Sequence, residues 1–475
     1  MPHNYVFRLT MLAKCRDYLI TRFPALRYNA AYRRMMDYLL HPIRDDKSRW
    51  YLGHDVLRQI TGGTSPNQAF LQAFQNDVLP GFAWSEPNKD NHQARTIISS
   101  GIDAVTYDYY HLAQGITHSR PGENERVYID DGRKFSRAKK AEQTRHNDQV
   151  MRDTADDART PIQAMILRYH ADLPTNTYQA LISANRADAC AWVQDNFKED
   201  DDTRRLLWGQ LDCLFNFPKP YYAIPSEKTN RLYPAAGLAN LSSVKREIRK
   251  ILTRGCVEVD IWACHLAIIA RTWHVDSLQK LLENLKSQDK KPWGWFAASL
   301  GLELTRDLKQ ALKQAVYSLA YGASKRNIIK AFDADSGEEA GTGKRFLELP
   351  IMQDILAARK EQCELPGIAC EMSEYNDYLG DRDFGRIREQ DEIRSVLSCE
   401  SQKVEQELIG VVYEYAKAHK DKMQILVYSY DGVTFQISDK RPERKNAIMQ
   451  SIKEAVEEKA TELGLTTSVD FDDLD

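Results

Sequence analysis

Apolar and polar positions along this chain fall into two alternating rhythms. In the stretch 256–261 (CVEVDI), Val257, Val259 and Ile261 alternate with Glu258 and Asp260, the period of a half-buried strand with both acids on one face. From Ala263 the spacing turns helical (ACHLAIIARTW), so Asp260 is expected at a strand end just before a helix. The stretch 424–437 (QILVYSYDGVTFQI) reads as two apolar strands around Tyr430, Asp431 and Gly432, and Asp-Gly between such runs is a hairpin signal. Between these two regions, 305–332 predicts a helix. Thr305 is its N-cap, Asp307 lies in its first turn, and Gly322 stands where a left-handed C-cap belongs. Residues 1–115 read as mostly helical, with an amphipathic run at 28–40. Residues 161–215 return to helical periodicity around the acidic stretch 199–202.

On the 305–332 helix, Lys309, Lys313, Tyr317 and Tyr321 recur every fourth residue, each about 40° around from the last, so two cations and two phenols share one stripe. Taken alone, such a stripe is equally a solvated face with half-buried tyrosines. The acids change its meaning. A carboxylate at a hairpin tip (Asp431) facing another at a strand end (Asp260) can bridge divalent metals. Cations cluster just before the first strand as Lys245, Arg246, Arg249, Lys250 and Arg254, and again along 120–159.

Composition narrows the picture further. The 475 residues call for two or three subdomains, and 43% hydrophobic with 28% charged residues describes a soluble globular chain. No apolar run approaches the length of a membrane span, and no leader architecture opens the chain, so a cytoplasmic or organelle-matrix location is expected. Eight scattered cysteines without a Cys-x-x-Cys argue for buried thiols over zinc or disulfides. A net charge of −3 means that any nucleic-acid binding must come from local patches. The stretch 336–344 (SGEEAGTGK) fails the phosphate-loop spacing and reads as a flexible loop.

A strand Asp, then a Lys/Tyr helix, then a hairpin Asp: this order resembles the polymerase domain of family A DNA polymerases, itself related to the single-subunit RNA polymerases. The likeness covers about residues 229–475. Its first motif would be Asp260, with His265 where the family carries Glu. Its helix motif would be Lys309, Lys313, Tyr317, Tyr321 and Gly322, with Lys309 in place of the family's Arg. Its hairpin motif would be Tyr430, Asp431 and Gly432, where the family has His-Asp-Glu. Thr229, Asn230, Arg231 and Leu232 match the family's Thr-Gly-Arg-Leu, and Ser398 with Gln402 match the Asn-x3-Gln of a late helix.

The resemblance implies an α+β right-hand fold with an antiparallel-sheet palm, helical fingers and thumb, and an extra helical N-terminal region. It divides the chain into an accessory region (1–115), a thumb-like region (116–217), palm (218–304), fingers (305–390) and palm again (391–475). The implied activity is template-directed nucleotidyl transfer by a DNA-dependent DNA polymerase. Asp260 and Asp431 would bind two magnesium ions, or manganese in their place. Lys309 and Lys313 would meet the triphosphate, with Lys313 also protonating pyrophosphate. Tyr317, Tyr321 and His265 would surround the nucleotide, His265 disfavouring a 2′-hydroxyl. Arg231, Gln402, Arg246 and Arg249 would contact primer-template. The absence of an Asp-x-Glu signature in residues 1–115 points to an enzyme without proofreading, of phage, plasmid or organelle type, working with replication accessory proteins. Two alternatives stand beside it: a single-subunit RNA polymerase or primase, favoured by Arg231, Leu232 and Tyr233, and a non-catalytic nucleic-acid-binding subunit of the same fold.

Overall fold

The computed structural model describes residues 10–40, 51–52, 60–61, 68–84, 95–99, 102, 126–128, 137–198, 202–224, 229–235, 240–320, 323–364, 390–439 and 441–474. Its centre is a four-stranded antiparallel sheet of β1 (Val257–Ile261), β2 (Met423–Tyr428), β3 (Gly432–Ile437) and β4 (Val469–Asp473), in the order β4-β1-β3-β2. The alternation in 256–261 does in part what its period requires. Val257, Val259 and Ile261 are buried and Asp260 opens to solvent, but Glu258, expected on the same open face, is buried as well, covered by Arg249. The 424–437 run is the β2–β3 hairpin, closed by the Ser429 amide donating to the Gly432 carbonyl at 2.9 Å, with Tyr430 at a left-handed φ of 66°.

The helices used below are α1 (Pro161–Asp172), α2 (Arg246–Leu252), α3 (Cys264–Thr272), α4 (Arg306–Ala320), α5 (Gln390–Ala418) and α6 (Pro442–Glu462). Sheet residues Val257, Val259 and Phe435 share one core with Ile409 and Val412 of α5 and Ile452 and Val456 of α6. A second core joins the opposite side of α3 to the helices that follow it, including Leu308, Leu312, Val316 and Leu319 of α4. Residues 264–270 of α3 are all buried because this helix is shared between those two cores. The apolar stripe of α4 faces the second core, Tyr317 packs against the edge of that core beside Trp293, and Lys309 and Lys313 lie on the same adjacent stripe. Thr305 caps α4, its hydroxyl accepting from the Leu308 amide at 3.1 Å. Gly322 and Tyr321 lie outside the described residues, as do Arg133, Lys134 and 199–201.

One expectation is qualified and one corrected. The N-terminal region, read as mostly helical, also carries short strands. Thr10–Leu12 pairs with Arg126–Tyr128, and Tyr51–Leu52, Ala83–Trp84 and Arg95–Ser99 form a three-stranded sheet beside the helices Ala30–Leu40 and Gln68–Asp77. Short β segments of two to five residues give too little alternation to read. The stretch 336–344 is not a loop throughout, since a helix starts at Thr342. The Asp333 carboxylate accepts from the amides of Gly341 (2.9 Å) and Gly343 (2.7 Å), occupying the place a phosphate would take at that helix start.

Among the described residues, no helix is long and apolar enough to cross a membrane. Six cysteines among the described residues are buried and outside any disulfide.

Where the helical region meets the sheet, Lys219 is 1% exposed, and its ammonium donates to Asp148 Oδ1 (2.7 Å) and to the carbonyls of Ala171 (2.9 Å) and Leu173 (2.8 Å). Burial pushes the Lys219 pKa down and that of Asp148 up, and each partner works against the shift of the other. Lys219→Met removes the cation, leaving the part-buried Asp148 carboxylate with only Tyr221 as a hydrogen-bond donor and the Ala171 and Leu173 carbonyls without the ammonium. It should cost about 3–5 kcal/mol, read as a lower urea midpoint, and Lys219→Met with Asp148→Asn should recover part of the loss.

Candidate functional site

Register brings the two acids together. Gly432 sits directly across from Asp260 on neighbouring strands, and the Ile261 amide donates to the Asp431 carbonyl at 2.9 Å, which pins the hairpin tip to the end of β1. A methyl group at position 432 would lie 2.2 Å from Asp260 Oδ1 and 2.7 Å from the Val259 carbonyl. The missing side chain is therefore the space that the Asp260 carboxylate occupies.

Crowding and charge show in the acids themselves. Asp260 is raised to about 6, first by the protein packed around it, then by the negative charges of Asp431 and Glu258, with Arg246 and Lys313 pulling the other way. Asp431 is raised chiefly by burial and then by Glu405, opposed by His265 and Arg231. A carboxylate raised by a neighbouring carboxylate, beside a second one raised chiefly by burial, forms a centre that a divalent cation would relieve. Among the described residues no group of three or more His, Cys, Asp or Glu forms a ready-made metal site. Further ligands would have to come from water or from phosphate.

The sign of the Asp260 shift gives a test. With a folded pKa near 6 against 3.8 unfolded, this group favours the folded state below about pH 4, and that contribution is lost as pH rises to about 6. At pH 7 without metal, Asp260→Asn should therefore unfold later than wild type by about 1 kcal/mol, a figure reduced for solvent screening at an exposed carboxylate. The gap should close by pH 4, and magnesium should raise the thermal midpoint of wild type but not of the variant.

Cations from three directions overlook the pair. Lys313 of α4 contributes directly to the potential at Asp260, and its ammonium lies 5.8 Å from the Trp293 ring centroid. Lys309, one turn earlier, has its pKa lowered by partial burial and then by Lys313, Arg246 and Lys291, a measure of how concentrated positive charge is there. Arg246 and Arg249, expected to meet nucleic acid, face the acidic side of the sheet. Arg249 donates to Glu258 at 3.1 Å, and Arg246 reaches Asp472 at 3.4 Å while remaining 59% exposed. Of the two, Arg246 keeps a surface open to a ligand.

On the other flank, the His265 ring packs edge-on against Tyr317 with centroids 5.0 Å apart. Arg231 stacks over Tyr430 at 4.7 Å and forms an ion pair with Glu405. Gln402 sits differently from the expectation of nucleic-acid contact. It is 6% exposed, and its carbonyl oxygen accepts from the Asn230 amide (2.7 Å) and the Thr229 hydroxyl (2.8 Å), so it braces the loop that carries Arg231.

Three residues of the site went unread in the sequence. Asp470 of β4 lies directly across from Asp260 and is ion-paired with Lys291. The alternation of Val469 and Phe471 with Asp470 and Asp472 was a legible strand signal. Glu405 lies three residues after Gln402 on α5, and nothing local distinguishes it from the other polar positions of that helix. Lys291 carries no local signal, because only the fold brings it to the acids.

No family model matches the chain, and no curated protein matches it. Among solved structures, the POL domain of Pol1 from M. smegmatis, in complex with DNA primer-template and dNTP, matches at 13% identity and a TM-score of 0.40, over 93% of this chain and 80% of that one.

Proposed function

We infer that this chain catalyses template-directed nucleotidyl transfer, as a DNA-dependent DNA polymerase with a palm built on the central sheet. The observation that carries the reading is the juxtaposition of Asp260, near the end of β1, with Asp431, at the tip of the neighbouring hairpin, beneath the cationic stripe of α4. The acids fit divalent ions because like charges are forced together and the space around Asp260 is kept clear by Gly432. Two magnesium ions held by them would activate an attacking 3′-hydroxyl and neutralise the departing pyrophosphate. Lys313 and Lys309 would offset the charge of the triphosphate from the opposite side, and Lys313 would return a proton to pyrophosphate. Lys291 adds a third cation to that surface.

His265 and Tyr317 together form a wall where a nucleotide sugar would lie, and a bulky pair there favours 2′-deoxynucleotides. Arg231 and Arg246 supply positive charge for the primer-template backbone.

Primer extension decides between this reading and its alternatives. A primed DNA template with magnesium and the four dNTPs should give templated extension. Primer-free synthesis from NTPs would establish an RNA polymerase or primase instead, and duplex binding without synthesis would leave a non-catalytic binding subunit.

A further inference from the structure

The acid that the resembled family carries beside its motif helix is absent here, yet a carboxylate reaches the same neighbourhood from elsewhere in the chain. Glu405 of α5 is 0% exposed. Its Oε1 accepts from Arg231 Nε at 3.1 Å, and its Oε2 accepts from Arg231 Nη2 at 2.5 Å and lies 3.1 Å from His265 Nε2. Arg231 Nη2 is itself 3.0 Å from that ring nitrogen. Burial alone would raise this acid, but Arg231 and His265 hold it down at about 2, so it is an anion at any working pH.

Both partners of Glu405 face the site. His265 lies against Tyr317, and Arg231 lies over Tyr430, the residue before Asp431. The rest of α5 is locked to the same loop. Gln402 accepts from Thr229 and Asn230, Gln406 donates to the Asn230 carbonyl, and Asn230 donates to the Cys399 carbonyl at 2.9 Å. Glu405 thus fixes two site-facing groups relative to each other from a rigid support, without an opening of its own to a ligand.

We propose that Glu405 is a positioning residue for sugar discrimination: by accepting from His265 Nε2–H it holds the imidazole against Tyr317, where the ring excludes a 2′-hydroxyl. This rests on the polymerase reading above. The ligand it selects for is the 2′-deoxynucleoside triphosphate, and it acts only through His265. A hydrogen bond to an ionised acceptor orients a ring far more tightly than packing alone, and a ring left to turn opens the sugar wall.

The test compares dNTP and NTP incorporation by wild type, Glu405→Gln, Glu405→Asp, His265→Ala and Glu405→Gln combined with His265→Ala. Thermal midpoints are measured alongside. Glu405→Gln should lower the ratio of kcat/KM for dNTP over NTP about tenfold, mainly through a lower KM for NTP, with kcat for dNTP within about threefold of wild type. His265→Ala should lower the ratio comparably, and the double variant should lower it no further. A folded Glu405→Gln or Glu405→Asp that loses dNTP and NTP activity equally, or that keeps the wild-type ratio, would overturn the proposal in favour of a purely structural ion pair. Imidazole nitrogen shifts of the wild-type protein, assigned by difference with His265→Ala, give a readout that needs neither turnover nor a folded Glu405 variant. Nε2 should carry the proton, and an unprotonated Nε2 accepting from Arg231 would overturn the proposal as well. A wild-type chain that extends no primer would instead overturn the polymerase reading on which this stands.

Discussion

Asp431→Asn should abolish primer extension while leaving the protein folded. The change is isosteric, and the backbone contact that places the hairpin tip, from the Ile261 amide to the 431 carbonyl, does not involve the side chain. What disappears is one of two charges that divalent cations would bridge. The loss in kcat should be on the order of 10³-fold or greater, as for other groups that stabilise charge developing in a transition state. Asp260→Asn should behave in the same way. Asp431 is raised by its surroundings, so at neutral pH without metal its neutralisation should not lower the thermal midpoint. Single-turnover extension with each variant checks the first part and thermal unfolding in EDTA the second. Retained activity in either variant would remove the two-carboxylate centre altogether.

Gly432→Ala is the second large effect, and its cause is steric. The added Cβ would meet Asp260 Oδ1 at 2.2 Å and the Val259 carbonyl at 2.7 Å. The carboxylate can swing aside, but the carbonyl belongs to the ladder between β1 and β3 and cannot yield without moving a strand. A cost of about 1–3 kcal/mol is expected in urea unfolding, together with a loss on the order of 10²-fold in extension rate from displacing Asp260. If Gly432→Ala extends primers at the wild-type rate, Asp260 is not working from the position seen here.

How much of this was legible depended on how local each signal was. The β1 alternation, the β2–β3 hairpin and the capped α4 helix each announce themselves within a dozen residues, because strand period, Asp-Gly and a Thr cap are short-range physics. Juxtaposition is not short-range. Whether Asp260 faces Asp431 depends on strand register across the intervening chain, and the sequence offered only their order. Arg249 was misleading for a related reason, since a cation beside a strand looks free until the fold supplies Glu258 as its partner. Glu405 lay hidden because a buried acid on a long amphipathic helix looks like any other polar position until Arg231 and His265 arrive from elsewhere. In the N-terminal region, strands of two to five residues lacked the length to show a period at all.

The placement of β4 beside β1 bears on how the protein matures. Asp260 stands between Gly432 on one side and Asp470 on the other, so the sheet edge next to it stays open until residues 469–473 have left the ribosome. Pairings across so long a stretch form late, because loop closure must precede any gain from contact. A nascent chain halted before residue 469 would therefore carry both acids and the cationic helix with the strand beside Asp260 still uncovered, so the centre would be completed only once residues 469–473 have emerged.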